Sequence, residues 1–249
     1  MKKSPLLLSS LALSLMIAGC GKKEDSTAPS GAAKTSAGES VPPPAGKKWS
    51  EVVSVTEKGG YRMGNPEAKI HVAEYGSFTC PHCADFAEKS NAEIEKLVDT
   101  GRMSFELRPY VRDPVDMTVA LLAECGGPEP FFPLAHQLFA NQTAMYQAIQ
   151  GKGDAAYTAA MQQPPAQRFA ALAGLGGLMD FVKQRGLSED KAKQCLADTK
   201  QVETLAGRVT QANSDYNISG TPTLLINDAV AENVLTWDAL RAKLTEAGL

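Results

Sequence analysis

Two cysteines separated by two residues, Cys80 and Cys83, sit where one pattern of apolar residues gives way to another. Upstream, Lys69-Ile70-His71-Val72-Ala73-Glu74-Tyr75 has the alternating to near-continuous apolar character of a short strand, closed by Gly76-Ser77. Downstream, Phe86, Ala87, Ser90, Ile94, Leu97 and Val98 recur at helical spacing. Cys80-Pro81-His82-Cys83 therefore falls at a strand-to-helix junction, on the first turn of the helix. Free main-chain N–H groups and the positive end of the helix dipole favour a thiolate there, and Pro81 is tolerated because its missing N–H has no helical partner.

This spacing lets two sulfurs form or break a disulfide with little backbone movement, the first more exposed than the second. Cys80 is the expected nucleophile and Cys83 its resolving partner. His82 is expected to stabilise a Cys80 thiolate as an imidazolium or hydrogen-bond donor. A thiol pKa lowered from about 8.5 to about 5 would stabilise the reduced pair by roughly 2–3 kcal/mol at pH 7, or around 40–65 mV, and make the protein an oxidant. Two blander readings compete. Half a zinc site would need a second close Cys/His pair, whereas Cys125, Cys195, His71 and His136 stand alone, so no metal is expected. A purely structural disulfide would gain little from closing so short a loop.

The rest of the chain supplies the setting. Lys2 and Lys3 precede an apolar stretch from Leu6 to Ala18, too short to span a bilayer comfortably, so residues 1–20 read as an export signal. Ile17-Ala18-Gly19-Cys20 resembles a bacterial lipobox, which implies cleavage before Cys20 and lipidation of its sulfur, against the alternatives of an uncleaved anchor or a plain secretory signal. Residues 21–48 are rich in Ala, Ser, Thr, Gly, Pro and Lys and include Pro42-Pro43-Pro44; they read as a flexible tether to the lipid anchor. A net charge of −3 without a basic block gives no reason to expect nucleic-acid binding. With Cys20 assigned to lipid, four of the five cysteines remain; an oxidising compartment favours pairing, which leaves Cys125 and Cys195 either bonded to each other or as buried thiols.

From about Val115 to Thr199 the pattern is helical, through Phe131, Leu134 and Leu138, then Phe169, Leu172 and Leu175, then Leu178, Met179 and Val182. Gly186 followed by Ser188-Glu189-Asp190 reads as one helix stopping and another starting. Gly174, Gly176 and Gly177 are expected to weaken the helix that holds them. Ile218-Ser219-Gly220-Thr221-Pro222-Thr223 leads into a short apolar strand, Leu224–Asn227, and a last helix is expected from Trp237 to Ala247.

Glu74-Tyr75-Gly76-Ser77-Phe78-Thr79-Cys80-Pro81-His82-Cys83 resembles the active-site segment of the DsbA family, and the likeness extends to Met63-Gly64-Asn65-Pro66-Glu67-Ala68 and to the C-terminal strand. The resemblance implies an α/β, thioredoxin-like fold with an inserted all-helical domain, in parts 49–114 and 201–249 around an insertion at 115–200. It implies a cis peptide before Pro222, where composition alone predicts trans, with Thr221 and Pro222 binding substrate opposite Cys80. It implies that Glu74 is the buried acid that moves a proton from the resolving cysteine, against the alternative of a solvated strand residue. It also implies that a second disulfide in the insertion is plausible. The activity so implied is disulfide donation to exported proteins that carry cysteines, on the periplasmic side of a bacterial membrane, without a cofactor and with a membrane redox partner resetting the pair. Threonine before the proline, where valine is usual among the best-known oxidases, resembles disulfide isomerases and leaves an isomerase or reductase open. A non-redox polypeptide-binding protein is the alternative from another class.

Overall fold

The structure is a computed structural model and describes residues 41–249. The export signal, Cys20 and the tether up to residue 40 lie outside the described residues.

The described chain builds one mixed sheet in the order β1 (Val53–Val55), β2 (Tyr61–Gly64), β4 (Met103–Pro109), β3 (Ile70–Gly76), β5 (Thr223–Ile226), β6 (Ala229–Val230). β3 and β4 are parallel, joined through helix α1 (Pro81–Asp99), and the other neighbours are antiparallel. Alternation along the two central strands divides the sheet into faces. Ile70, Val72, Met103, Phe105, Leu107 and Leu224 enter the main core together with Phe86, Ile94 and Val98 of α1. Ala73, Tyr75 and Leu225 form a smaller cluster on the other face with Ala212 of α9 (Thr199–Tyr216). That second face also carries an ionic knot. Glu106 accepts from Arg108 Nε at 2.8 Å and from Thr56 Oγ1 at 2.6 Å, and pairs with His71 Nε2 at 3.0 Å.

Between β4 and β5 the chain is helical: α2 (Pro114–Glu124), α3 (Pro128–Ala140), α4 (Gln142–Lys152), α5 (Asp154–Met161), α6 (Pro165–Leu175), α7 (Leu178–Lys183) and α8 (Glu189–Leu196) precede α9. Asp113 caps α2 by accepting from the N–H groups of Val115 and Asp116, and Ser188 caps α8 by accepting from Lys191. Helix α10 (Trp237–Glu246) closes the chain on α1, capped by Thr236. The architecture is an α/β thioredoxin-like sheet carrying a helical insertion.

Two local expectations are corrected. Gly176 and Gly177 do not weaken one helix: they separate α6 from α7, Gly177 taking φ 67°, a left-handed conformation glycine adopts without cost; Gly174 alone lies within α6. The tether does not run free to Lys48, because Val41 N–H donates to the Thr100 carbonyl and the Trp49 indole N–H donates to the Val41 carbonyl at 2.7 Å. Burying the indole ring of Trp49 fastens the preceding residues at the end of α1 remote from the cysteines. The hairpin β1–β2 and strand β4 had no counterpart in the sequence reading.

Candidate active site

Strand register brings the sequence-distant parts of the site together. β3 ends at Gly76, and the segment Ser77–Thr79 carries the chain to Cys80, the N-cap of α1. Pairing of Tyr75 with Thr223 in antiparallel β5 places the residues just before Thr223 beside those just after β3. Thr221–Pro222 is a cis peptide in this position, and the Cys80 thiol donates to the Thr221 carbonyl at 3.2 Å across 141 residues. Parallel pairing of Gly76 with Pro109 makes β4 end at the same edge, so Arg112, Asp113 and the first turn of α2 also arrive there.

The two sulfurs occupy different environments. Cys80 keeps 3% of its surface exposed and Cys83 none. Hydrogen bonding from the Cys83 thiol holds Cys80 far below the usual thiol range, at about 4, against burial; the Thr221 side chain and the main-chain N–H groups of Cys83 and His82 add to it. Burial pushes the Cys83 thiol strongly upward, and its bond to Cys80 and the nearby Glu74 carboxylate act the same way. His82 brings its main-chain N–H to Cys80, and the residue itself is exposed. Pro81 opens α1 at a position where no helical N–H is required.

Glu74 is buried, not solvated: it keeps 3% of its surface, and Oε1 has no hydrogen-bond partner. Burial, and then the Cys80 thiolate, raise its carboxyl to about 8. Gly76 makes room for it, since a Cβ there would stand 2.8 Å from Glu74 Oε1. Cys125 and Cys195 are joined as a disulfide that ties the C-cap of α2 to α8, remote in sequence from the redox pair. Among the described residues no three His, Cys, Asp or Glu side chains are placed to hold a metal ion.

A set of groups that sequence reasoning missed grips the segment before Cys80. Buried Asp116 accepts from the Ser77 hydroxyl at 2.6 Å, the Phe78 N–H at 2.9 Å and the Arg112 N–H at 3.0 Å. Burial raises its carboxyl to about 6 despite those bonds. Asp113 accepts from the Thr79 hydroxyl, and Arg112 Nε donates to Ser77 Oγ at 2.9 Å. From α4, the buried Gln142 amide donates to the carbonyls of Phe78 and Cys80. One signal was available: Asp116 is a lone charge in the apolar run from Val115 to Ala123.

Residues 56–246 match the family model described as thioredoxin. The chain belongs to the thioredoxin family. The solved structure of a protein-disulfide isomerase from Novosphingobium aromaticivorans is 31% identical, with a TM-score of 0.71, over 75% of this chain and 96% of that one. Wolbachia pipientis alpha-DsbA1 shares the fold at 19% identity and a TM-score of 0.61, over 78% of this chain and 93% of its own. A curated relative from Rickettsia bellii, named "Putative protein-disulfide oxidoreductase", is 27% identical over 172 residues, 69% of this chain. The chain spans 58% of that relative's length. Within the thioredoxin family, the chain shares its fold with the Wolbachia DsbA structure.

Proposed function

We propose that this protein is a thiol:disulfide oxidoreductase that donates the Cys80–Cys83 disulfide to exported proteins bearing cysteines. The observation that carries the reading is the placement of Cys80 at the N-cap of α1, beside Cys83, where hydrogen bonds from the Cys83 thiol and from the main-chain N–H groups of Cys83 and His82 favour its thiolate. A substrate thiolate attacks the Cys80 sulfur and forms a mixed disulfide; the Cys80–Cys83 bond breaks and its electron pair goes to Cys83. Cys83 cannot remain a thiolate in so buried a place, and Glu74, neutral at pH 7, supplies the proton. The substrate's second thiolate then attacks its own mixed-disulfide sulfur and Cys80 departs as a thiolate, a good leaving group because its pKa is low. Substrate is oxidised by two electrons and the Cys80/Cys83 pair is reduced, so turnover requires an oxidising partner. The edge formed by Thr221 and Pro222 offers extended substrate backbone its place beside Cys80.

Residues 1–20 and Cys20 support export and lipid attachment, on the periplasmic side of a membrane whose redox partner reoxidises the pair. Among the described residues no helix is long and apolar enough to cross a membrane. An isomerase is the second reading, favoured by the 31% identity to the Novosphingobium protein-disulfide isomerase and by Thr221.

The test is to mix the oxidised protein with a reduced peptide carrying two cysteines. One disulfide appears in the peptide per protein and Cys80→Ser abolishes transfer; Cys83→Ser, which has no disulfide to give, transfers none, but its Cys80 thiolate accumulates a mixed disulfide when it is mixed with the oxidised peptide instead. Unchanged biological activity in the Cys80→Ser/Cys83→Ser double variant would instead establish a polypeptide-binding protein.

A further inference from the structure

Asp116 is 1% exposed, yet it carries a carboxylate at the edge of the main core, on the first turn of α2, where the helix dipole favours negative charge. Its three hydrogen bonds do not serve its own helix. Two of them fix consecutive residues of the segment that leads into Cys80, the hydroxyl of Ser77 and the N–H of Phe78. Arg112 reinforces the arrangement from the other side, its N–H donating to Asp116 and its Nε donating to the same Ser77 hydroxyl. Ser77 in turn touches the redox pair: its main-chain N–H donates to Cys83 Sγ at 3.4 Å, and its carbonyl accepts from Cys80 N–H at 3.1 Å.

We propose that Asp116 is a positioning residue for the redox pair, holding the Ser77 N–H on the Cys83 sulfur and thereby setting how well Cys83 stabilises the Cys80 thiolate. The inference rests on the thiol:disulfide reading above. In the reduced protein the Cys83 thiol donates to the Cys80 thiolate while its sulfur accepts from Ser77; each bond in such a chain polarises the next. Oxidation removes the Cys83 proton, so the chain favours the reduced pair and makes the protein a stronger disulfide donor. Direct charge repulsion would act oppositely, since a carboxylate near a thiolate disfavours it. The direction of the effect therefore separates positioning from charge.

The experiment measures the equilibrium of Cys80/Cys83 with glutathione, and the titration of Cys80 by thiolate absorbance, in the full chain and in Asp116→Asn and Ser77→Ala. Ser77→Ala removes the hydroxyl that Asp116 grips without altering any charge, and it carries the test if Asp116→Asn fails to fold. Both variants are expected to weaken oxidation of substrate by about threefold to tenfold, about 15–30 mV towards the reducing side, and to move the Cys80 titration upward. The double variant is expected to show less than the sum of the two shifts. Variants that match the parent in both readouts, even if less stable, overturn the assignment, as does a shift to the oxidising side. A parent pair that does not exchange with glutathione at all overturns the functional reading, and this assignment with it.

Discussion

Replacing Glu74 by glutamine tests the buried acid through stability as well as chemistry. Glu74 ionises at an ordinary 4.5 in the unfolded chain but is raised to about 8 in the folded one, first by burial and then by the Cys80 thiolate. A carboxyl raised on folding contributes fully below its unfolded value, and that contribution is lost as pH rises towards the folded value. At pH 7 the folded state must hold a proton that the unfolded state releases, at a cost of about 3 kcal/mol, rising to about 5 kcal/mol above pH 8. Glutamine carries no such cost. The stability of Glu74→Gln relative to the parent should therefore improve by about 3 kcal/mol between pH 4 and pH 7, on top of any pH-independent difference from placing an amide there. Urea denaturation of the reduced proteins at pH 4, 5.5, 7 and 8.5 measures it. A difference that stays flat across that range refutes the reasoning, because it would mean that Glu74 ionises alike in both states. The same variant should slow release of Cys83 during disulfide transfer, for want of a proton donor.

Glu106 behaves in the opposite sense: His71, Arg108 and Thr56 hold its carboxyl at about 2 against burial, so its contribution is present above 4.5 and lost as pH falls towards 2. Glu106→Gln leaves Arg108 buried without its counter-charge and is expected to cost about 3 kcal/mol at pH 7, shrinking on acidification, as read by denaturation at pH 7 and pH 3. Replacing both Cys125 and Cys195 by serine opens a link spanning 70 residues of sequence and is expected to cost roughly 4 kcal/mol of unfolding free energy on the loop-entropy account. A loss under about 1 kcal/mol would contradict that account.

The parts of the site legible in the sequence are those whose chemistry is carried by local spacing. Cys80 and Cys83 stand at a junction between a period of two and a period near 3.6, which fixes them on a helix N-terminus before any fold is known. Thr221–Pro222 at the head of an apolar strand was visible as a break, but its cis bond came from resemblance. Strand β4 was readable in principle, since Met103, Phe105 and Leu107 alternate with Ser104, Glu106 and Arg108. The β1–β2 hairpin offers only three and four residues of strand, too few for periodicity to stand out. Asp116 and Gln142 were hidden for a different reason: their partners Ser77 and Phe78 lie 39 and 64 residues away, and only the parallel pairing of β3 with β4 and the packing of the insertion bring them together. For His82 the sequence pattern shows a titratable ring beside a thiol, but not that its main-chain N–H donates to the sulfur.

The reduction potential of the Cys80/Cys83 pair, measured by equilibrating the protein in glutathione buffers and scoring the cysteines by alkylation, tests disulfide donation most directly. Donation predicts a potential well above the value of about −270 mV characteristic of thioredoxin, because the stabilised Cys80 thiolate favours the reduced pair. A potential at or below that value would contradict donation and make this site that of a reductase.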